Sequence, residues 1–470
     1  MHRVTLLSLF FYLLVIGCEH SQDLTQNEDQ GWPIQESFEL ADFQPAGDCK
    51  SCHPVHFNEW SGSMHAYALK DPVWFAQHSK EQNKFASEGK ELGDFCIMCH
   101  SPVAFLTGAI DNPLSFDIGD TASLAPQAQE GVGCFFCHAT THVSPSTDAN
   151  PLNDATGAIQ FFLNTGEVFY GSIKDPVPNS FHDSEFHPDY DRSEMCRACH
   201  NLTIDGIDAE MTFNEWKGTA FEAMGIECQG CHMETYSGYA VDTVLFPSAP
   251  YRENLHRHSF VGLDHALTSF PETGAQARKI NSLLKSAAEI NFGKSLPDSV
   301  TPGENVDLAV VVTNISGHNL PTGTTFSRQI WLEVTVTAGA DTIYKSGFLD
   351  SNGDIYDFYI DTNLTEDPAL TVFRTVLYDA VGDSGLRHVS VGRMVRKSDS
   401  TIPVQGSRTA KYSFQLPLES EGEIFVRVRL RFRAMPPFLI RELGLNEEAN
   451  RLIIFDGAEL KATIPIDMLE

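Results

Sequence analysis

The chain has 470 residues, with 63 acidic against 32 basic side chains and a net charge of −31. Such a surface repels phosphate backbones, which excludes nucleic acid as a partner class. The acidity serves solubility or, more sharply, the steering of a basic redox partner.

In chain order, a charged start, Met1-His2-Arg3, precedes an apolar run from Val4 to Ile16. That run is too short to span a bilayer and reads as a signal-peptide core, giving a signal peptide over 1–17. It ends in Val15-Ile16-Gly17-Cys18, which resembles the bacterial lipobox. The resemblance implies cleavage before Cys18 and its acylation, hence a lipid anchor in a bacterial cell envelope, on the periplasmic or outer side; the alternative is a cleaved signal with an incidental cysteine. Residues 18–47 are polar and acidic, as expected of a lipidated cysteine followed by a flexible tether.

Ten of the eleven cysteines fall in five identical frames. They are Cys49-Lys-Ser-Cys52-His53, Cys96-Ile-Met-Cys99-His100, Cys134-Phe-Phe-Cys137-His138, Cys196-Arg-Ala-Cys199-His200 and Cys228-Gln-Gly-Cys231-His232. C-x-x-C-H is the attachment frame of c-type haem, and this composition would produce roughly 0.01 such frames by chance. Positions i, i+3 and i+4 of a helical turn share a face, so two thiols can reach the porphyrin vinyls while the imidazole binds the iron. A zinc ribbon has no need of a histidine after each second cysteine, and a disulfide within C-x-x-C closes too small a loop to staple a scaffold. Five haem c groups are therefore expected in a mostly α and loop cytochrome domain over 48–294, its core filled by haem.

Within that region Phe57-Asn58-Glu59-Trp60 recurs as Phe213-Asn214-Glu215-Trp216, and in this register His65 falls on Phe221. Apolar spacing predicts a helix from Ala275 to Ile290. Beyond it, 307–313, 329–336, 410–416 and 424–432 are β-rich and partly alternating, which predicts an all-β, immunoglobulin-like sandwich domain over 295–470.

Several segments resemble a family of multihaem c-type cytochromes, the broad group containing the tetrahaem electron carrier of ammonia oxidisers. They are Cys52-His53-Pro54 leading to Glu59-Trp60 and Ser63-Met64-His65-Ala66, Met98 to Pro102, Gly131-Val132-Gly133-Cys134, Ser193 to Cys196, Cys228 to Met233, Asn314 to Gly323 and Leu430 to Pro437. The resemblance implies His65, His182, His258 and His318 as distal iron ligands, with His142 as the fifth. His187, His256 and His265 are the substitutes, followed by His56, His78 and His388. It implies an electron carrier rather than an enzyme, with most haems ligated by two histidines and redox proteins as partners. The alternatives are an oxidoreductase acting on a small nitrogen or sulfur compound at one open haem, and a subunit of a haem filament.

Overall fold

The computed structural model describes residues 38–467 except 91, 144–160, 205–206, 271–272, 358–366 and 380–393. The signal segment, Cys18, most of the tether and His388 lie outside the described residues. Ser37–Glu470 forms one compact unit.

Ordered structure begins before Asp48, where the sequence predicted tether. Phe43 and Ala46 are buried, and Phe43 packs edge-on against Phe135 at 5.6 Å. Two apolar side chains anchor the end of an otherwise polar run, and burial wins locally.

From there to about residue 270 the chain is a succession of short helices and two-stranded ladders. Each C-x-x-C-H frame is a single helical turn. His53, His100 and His200 donate their amides to the carbonyls of Cys49, Cys96 and Cys196, four residues back. Proline follows directly at Pro54 and after Ser101 at Pro102, at the first positions of the helices Pro54–Ser61 and Pro102–Thr107, where no amide is required. The longest element here is the helix Pro72–Ser87, capped by the Asp71 carboxylate on the Val73 amide.

The expected helix over 275–290 ends earlier. Thr273–Lys285 is helical, and Ala288–Phe292 is a strand antiparallel to Asn305–Asn314. Ala288 and Ile290 are buried while Glu289 and Asn291 are exposed, so period two takes over from period 3.6. The β structure thus takes in residues that the sequence assigned to the cytochrome domain.

Two antiparallel sheets follow. Asn305–Asn314 lies between Ala288–Phe292 and Ser407–Gln415. The second sheet runs in the order Asp341–Ser346, Gln329–Ala338, Glu423–Arg433 and Phe455–Pro465, with Val372–Phe373 also pairing Gln329–Ala338. All four segments read as β-rich hold strands. Val310, Val312 and Tyr412 from one sheet meet Val334, Val428 and Ile464 from the other in a shared core, which also receives Ile280 and Leu284 of the helix. On the outer face, Arg431 bonds Glu333 and Asp456 at 2.5 and 2.8 Å, and Arg429 bonds the same two carboxylates.

The β structure is joined to the haem-motif region by more than the connecting chain. Arg328 forks onto the Asp264 carboxylate and also reaches the Ala434 carbonyl. Val73 and Leu267 share a cluster with Ile440 and Ala449.

Candidate haem chamber and axial ligands

All ten motif cysteines and all five motif histidines line one chamber of about 1740 Å³. The chamber joins the motifs. Cysteines of different frames are neighbours in three pairs: Cys49 with Cys134, Cys99 with Cys199, and Cys196 with Cys228. These thiols occupy the places of thioether sulfurs. Burial pushes the Cys96 and Cys137 thiols up to about 12.

Imidazole nitrogen–metal bonds are about 2 Å, and each ring centre lies about 1 Å beyond its nitrogen, so two imidazoles on one iron have centres about 6 Å apart. Four pairs meet this spacing. His53 and His182 are 6.3 Å apart, His65 and His200 6.4 Å, His138 and His258 6.2 Å, and His232 and His318 6.2 Å. Each joins a motif histidine to one from elsewhere in the chain. His56 also lies 6.4 Å from His53, but its Nε2 is bonded to the Tyr236 hydroxyl at 3.0 Å.

The second ring nitrogen sets the tautomer. Nδ1–H of His53 donates to the Ala240 carbonyl at 2.8 Å, that of His138 to Tyr170 at 2.6 Å, and that of His232 to Val261 at 2.5 Å. His182, His258 and His318 bond carbonyls of their own loops in the same way, at 2.9 to 3.0 Å. A carbonyl only accepts, so the proton sits on Nδ1 and the Nε2 lone pair is left for iron. Burial keeps the rings neutral, holding His65 at about 3 and His318 at about 4, with His53, His138, His232 and His258 also lowered. Neutral imidazoles are what iron ligation needs, so the residues present fit haem c.

His100 is different. Its Nδ1 donates to Ala68 at 3.0 Å, and burial lowers it to about 4, but the ring stacked on it is Trp74, at 4.5 Å and 19°. Trp74 also stacks on His78 at 5.2 Å. Among the described residues no histidine ring stands at axial distance from His100. His142 does not supply the fifth ligand position. It lies on the strand Thr140–Val143 outside the chamber, with Nδ1 4.0 Å from an Asp189 carboxylate oxygen and its ring against Phe162. One residue of helix, Ala139, and two of strand, Thr140 and Thr141, separate it from His138, and the strand's pairing with Phe161–Leu163 fixes it there.

The repeated Phe-Asn-Glu-Trp element explains how distal loops are held. Glu59 Oε2 accepts from the His258 amide at 2.9 Å, and Glu215 Oε2 accepts from the Asn319 amide, next to His318, at 3.1 Å. Trp60 Nε1 donates to the Val132 carbonyl and Trp216 Nε1 to that of Ile226, in each case two residues before the next motif cysteine. Each copy therefore ties one distal histidine loop to one haem-attachment turn. The glutamates' part was not apparent from the sequence, where only the repeat itself showed.

Local backbone completes the ligand loops. Gly131 has φ +73°, and a Cβ there would lie 2.2 Å from the His65 carbonyl, which accepts from the Val132 amide. Only glycine permits that approach. The His318 loop is closed by Asn314, whose Nδ2 donates to the His318 and Ile402 carbonyls, and by Thr322, whose hydroxyl donates to Glu215.

The fold is similar to that of a multihaem c-type cytochrome. The family model described as cytochrome c554 and c-prime matches residues 48–139. Among solved structures, the chain is similar to the penta-heme cytochrome c552 from Thermochromatium tepidum, with TM-score 0.60 and 18% identity over 90% of this chain and 100% of that one. The sporulation control protein Spo0M from Bacillus subtilis aligns at TM-score 0.15 and 13% identity, over 38% of this chain and 49% of that one. No curated protein matches the chain in sequence. Among the described residues no helix is long and apolar enough to cross a membrane.

Proposed function

We propose that this protein is an electron carrier working outside the cytoplasm with five covalently attached haems, held at a membrane through acylated Cys18. The observation that carries the reading is the set of four histidine pairs 6.2 to 6.4 Å apart, each joining a motif histidine to a remote one. When bound, haem supplies one-electron chemistry between ferric and ferrous iron. The chain's part is to hold two neutral imidazoles at each of four irons, so that ligation there is unchanged between redox states. It also gathers the five frames around one chamber. The resemblance at Val15 to Cys18 supports the anchor, and export agrees with c-type attachment. The β structure, with two sheets around one core, supports a sandwich of immunoglobulin-like type. Intact mass should give five haems per chain that survive denaturation, and Cys18→Ser should move the protein from the membrane to the soluble fraction. Three or fewer haems would overturn the reading, and an unchanged membrane fraction would overturn the anchor.

His100 favours a second activity at one place. With no second imidazole at axial distance from His100 among the described residues, the iron it would hold keeps a coordination position for a small external ligand, which suits an oxidoreductase of small nitrogen or sulfur compounds. The reduced protein should bind one carbon monoxide per chain. No binding would mean that the iron held by His100 takes a sixth ligand from the chain, with His78 on the helix Pro72–Ser87 the first to test.

A further inference from the structure

The loop from Tyr239 to Tyr251 has two faces. Its inner face closes on the first motif: the Ala240 carbonyl accepts from His53 Nδ1, and the Asp242 amide donates to the Cys52 carbonyl. Its outer face carries Val244, Tyr251, Leu245 and Tyr239, exposed at 87, 58, 55 and 42%. None of these four side chains lines the chamber, so their exposure does not depend on what fills it. Four large apolar groups on one short loop make a patch that a lone soluble surface has no reason to keep.

The surroundings say what covers it. Arg252 pairs with Asp175, and Phe246 meets Phe181 at 5.8 Å, which sets the 174–185 segment beside the loop. Over 174–185 and 239–253 the charged residues are Asp175, Asp183, Glu185, Asp242 and Glu253 against Lys174 and Arg252, and Arg252 is paired with Asp175, so these segments give the apolar centre a net acidic rim. Anionic lipid is repelled by that rim, and a second copy of a chain of net charge −31 is repelled as well. A basic partner is attracted.

Building on the electron-carrier reading, we infer that the outer face of the Tyr239–Tyr251 loop is the docking surface for a basic electron-transfer protein with an apolar contact patch, and that the His53 iron is the exchange point. Transfer in the outward direction oxidises that iron from ferrous to ferric and reduces the partner's centre by one electron, with no proton moved and no bond exchanged. The Ala240 carbonyl on His53 links the docking loop directly to an iron ligand.

Horse-heart cytochrome c, a basic single-haem protein, serves as the probe, with affinity read by titration calorimetry and transfer by stopped flow. The double variant Val244→Lys, Leu245→Lys should weaken binding at least tenfold and slow transfer similarly, with the absorption spectrum unchanged. Binding should also weaken steeply with salt. The control Leu418→Lys, at a residue 78% exposed on the β structure, should change affinity less than twofold. Equal losses in both variants would reduce the effect to bulk charge and overturn the proposal. So would an unaffected double variant, binding of phosphatidylglycerol vesicles through this loop, or a wild-type dimer that the double variant dissociates. Failure of the reduced protein to reduce ruthenium hexaammine would instead sink the electron-carrier reading itself.

Discussion

A distal ligand must be held as well as present, and His318 shows how. Its Nδ1 is committed to the Asn319 carbonyl, its loop is pinned through Asn319 and Thr322 to Glu215, and its ring faces His232 at 6.2 Å. His318→Ala should convert one haem from low to high spin and add one carbon monoxide site, measured by paramagnetic resonance and titration. Unchanged spectra would leave the β structure as a cap. Glu215 is subtler because burial raises its carboxyl while the Thr322 and Asn319 bonds lower it. Glu215→Gln keeps an accepting oxygen, whereas Glu215→Ala leaves the amide of Asn319 unpaired at a cost of about 1–3 kcal/mol. The expected result is a lowered melting midpoint and a shifted low-spin signal for the His232 haem in the alanine variant, rescued by glutamine. An effect on melting alone would make the contact merely structural.

At the scale of elements, the segment from Glu130 to Cys134 is the most constrained. Glu130 is buried against the Ala46 amide at 2.9 Å, and burial drives it up to about 8 from an ordinary 4.5. The unfolded chain releases this proton near 4.5 and the folded one near 8, so the folded state binds more protons between those values. Stability should therefore fall as pH rises from about 4.5 to about 8. Glu130→Gln, which can still accept from Ala46, should remove most of that slope in melting midpoint against pH; an undiminished slope would assign it elsewhere.

The same scale shows what the sequence could and could not disclose. The attachment turns are local, five-residue events, and their residue types are dictated by covalent chemistry, so they are legible at once. The strands 305–314, 329–338, 407–415 and 423–433 show themselves by alternation. Which distal histidine faces which motif is a tertiary fact: His65 meets His200, 135 positions away. No period or spacing encodes that. The resemblance put His142 fifth among the distal ligands, yet the turn from helix into strand carries it out of the chamber. Trp74, an aromatic at the start of a helix, reads as an ordinary core residue until His100 is seen stacked upon it.

For the whole molecule, the β structure and the haem chamber are mechanically one body. Arg328 on Asp264, Glu215 on the His318 loop and the cluster of Val73, Leu267 and Ile440 all cross between them. This makes ligand supply, and not only shielding, a task of the β structure, and it places the docking loop at the opposite task of exposing one iron's surroundings to a partner. The central claim is that four irons are held between two imidazoles and one, at His100, is not. Spin-quantified paramagnetic resonance of the oxidised protein tests it most directly: four low-spin haems and one high-spin haem per chain are predicted, and fewer than four low-spin haems, or five, would contradict the account.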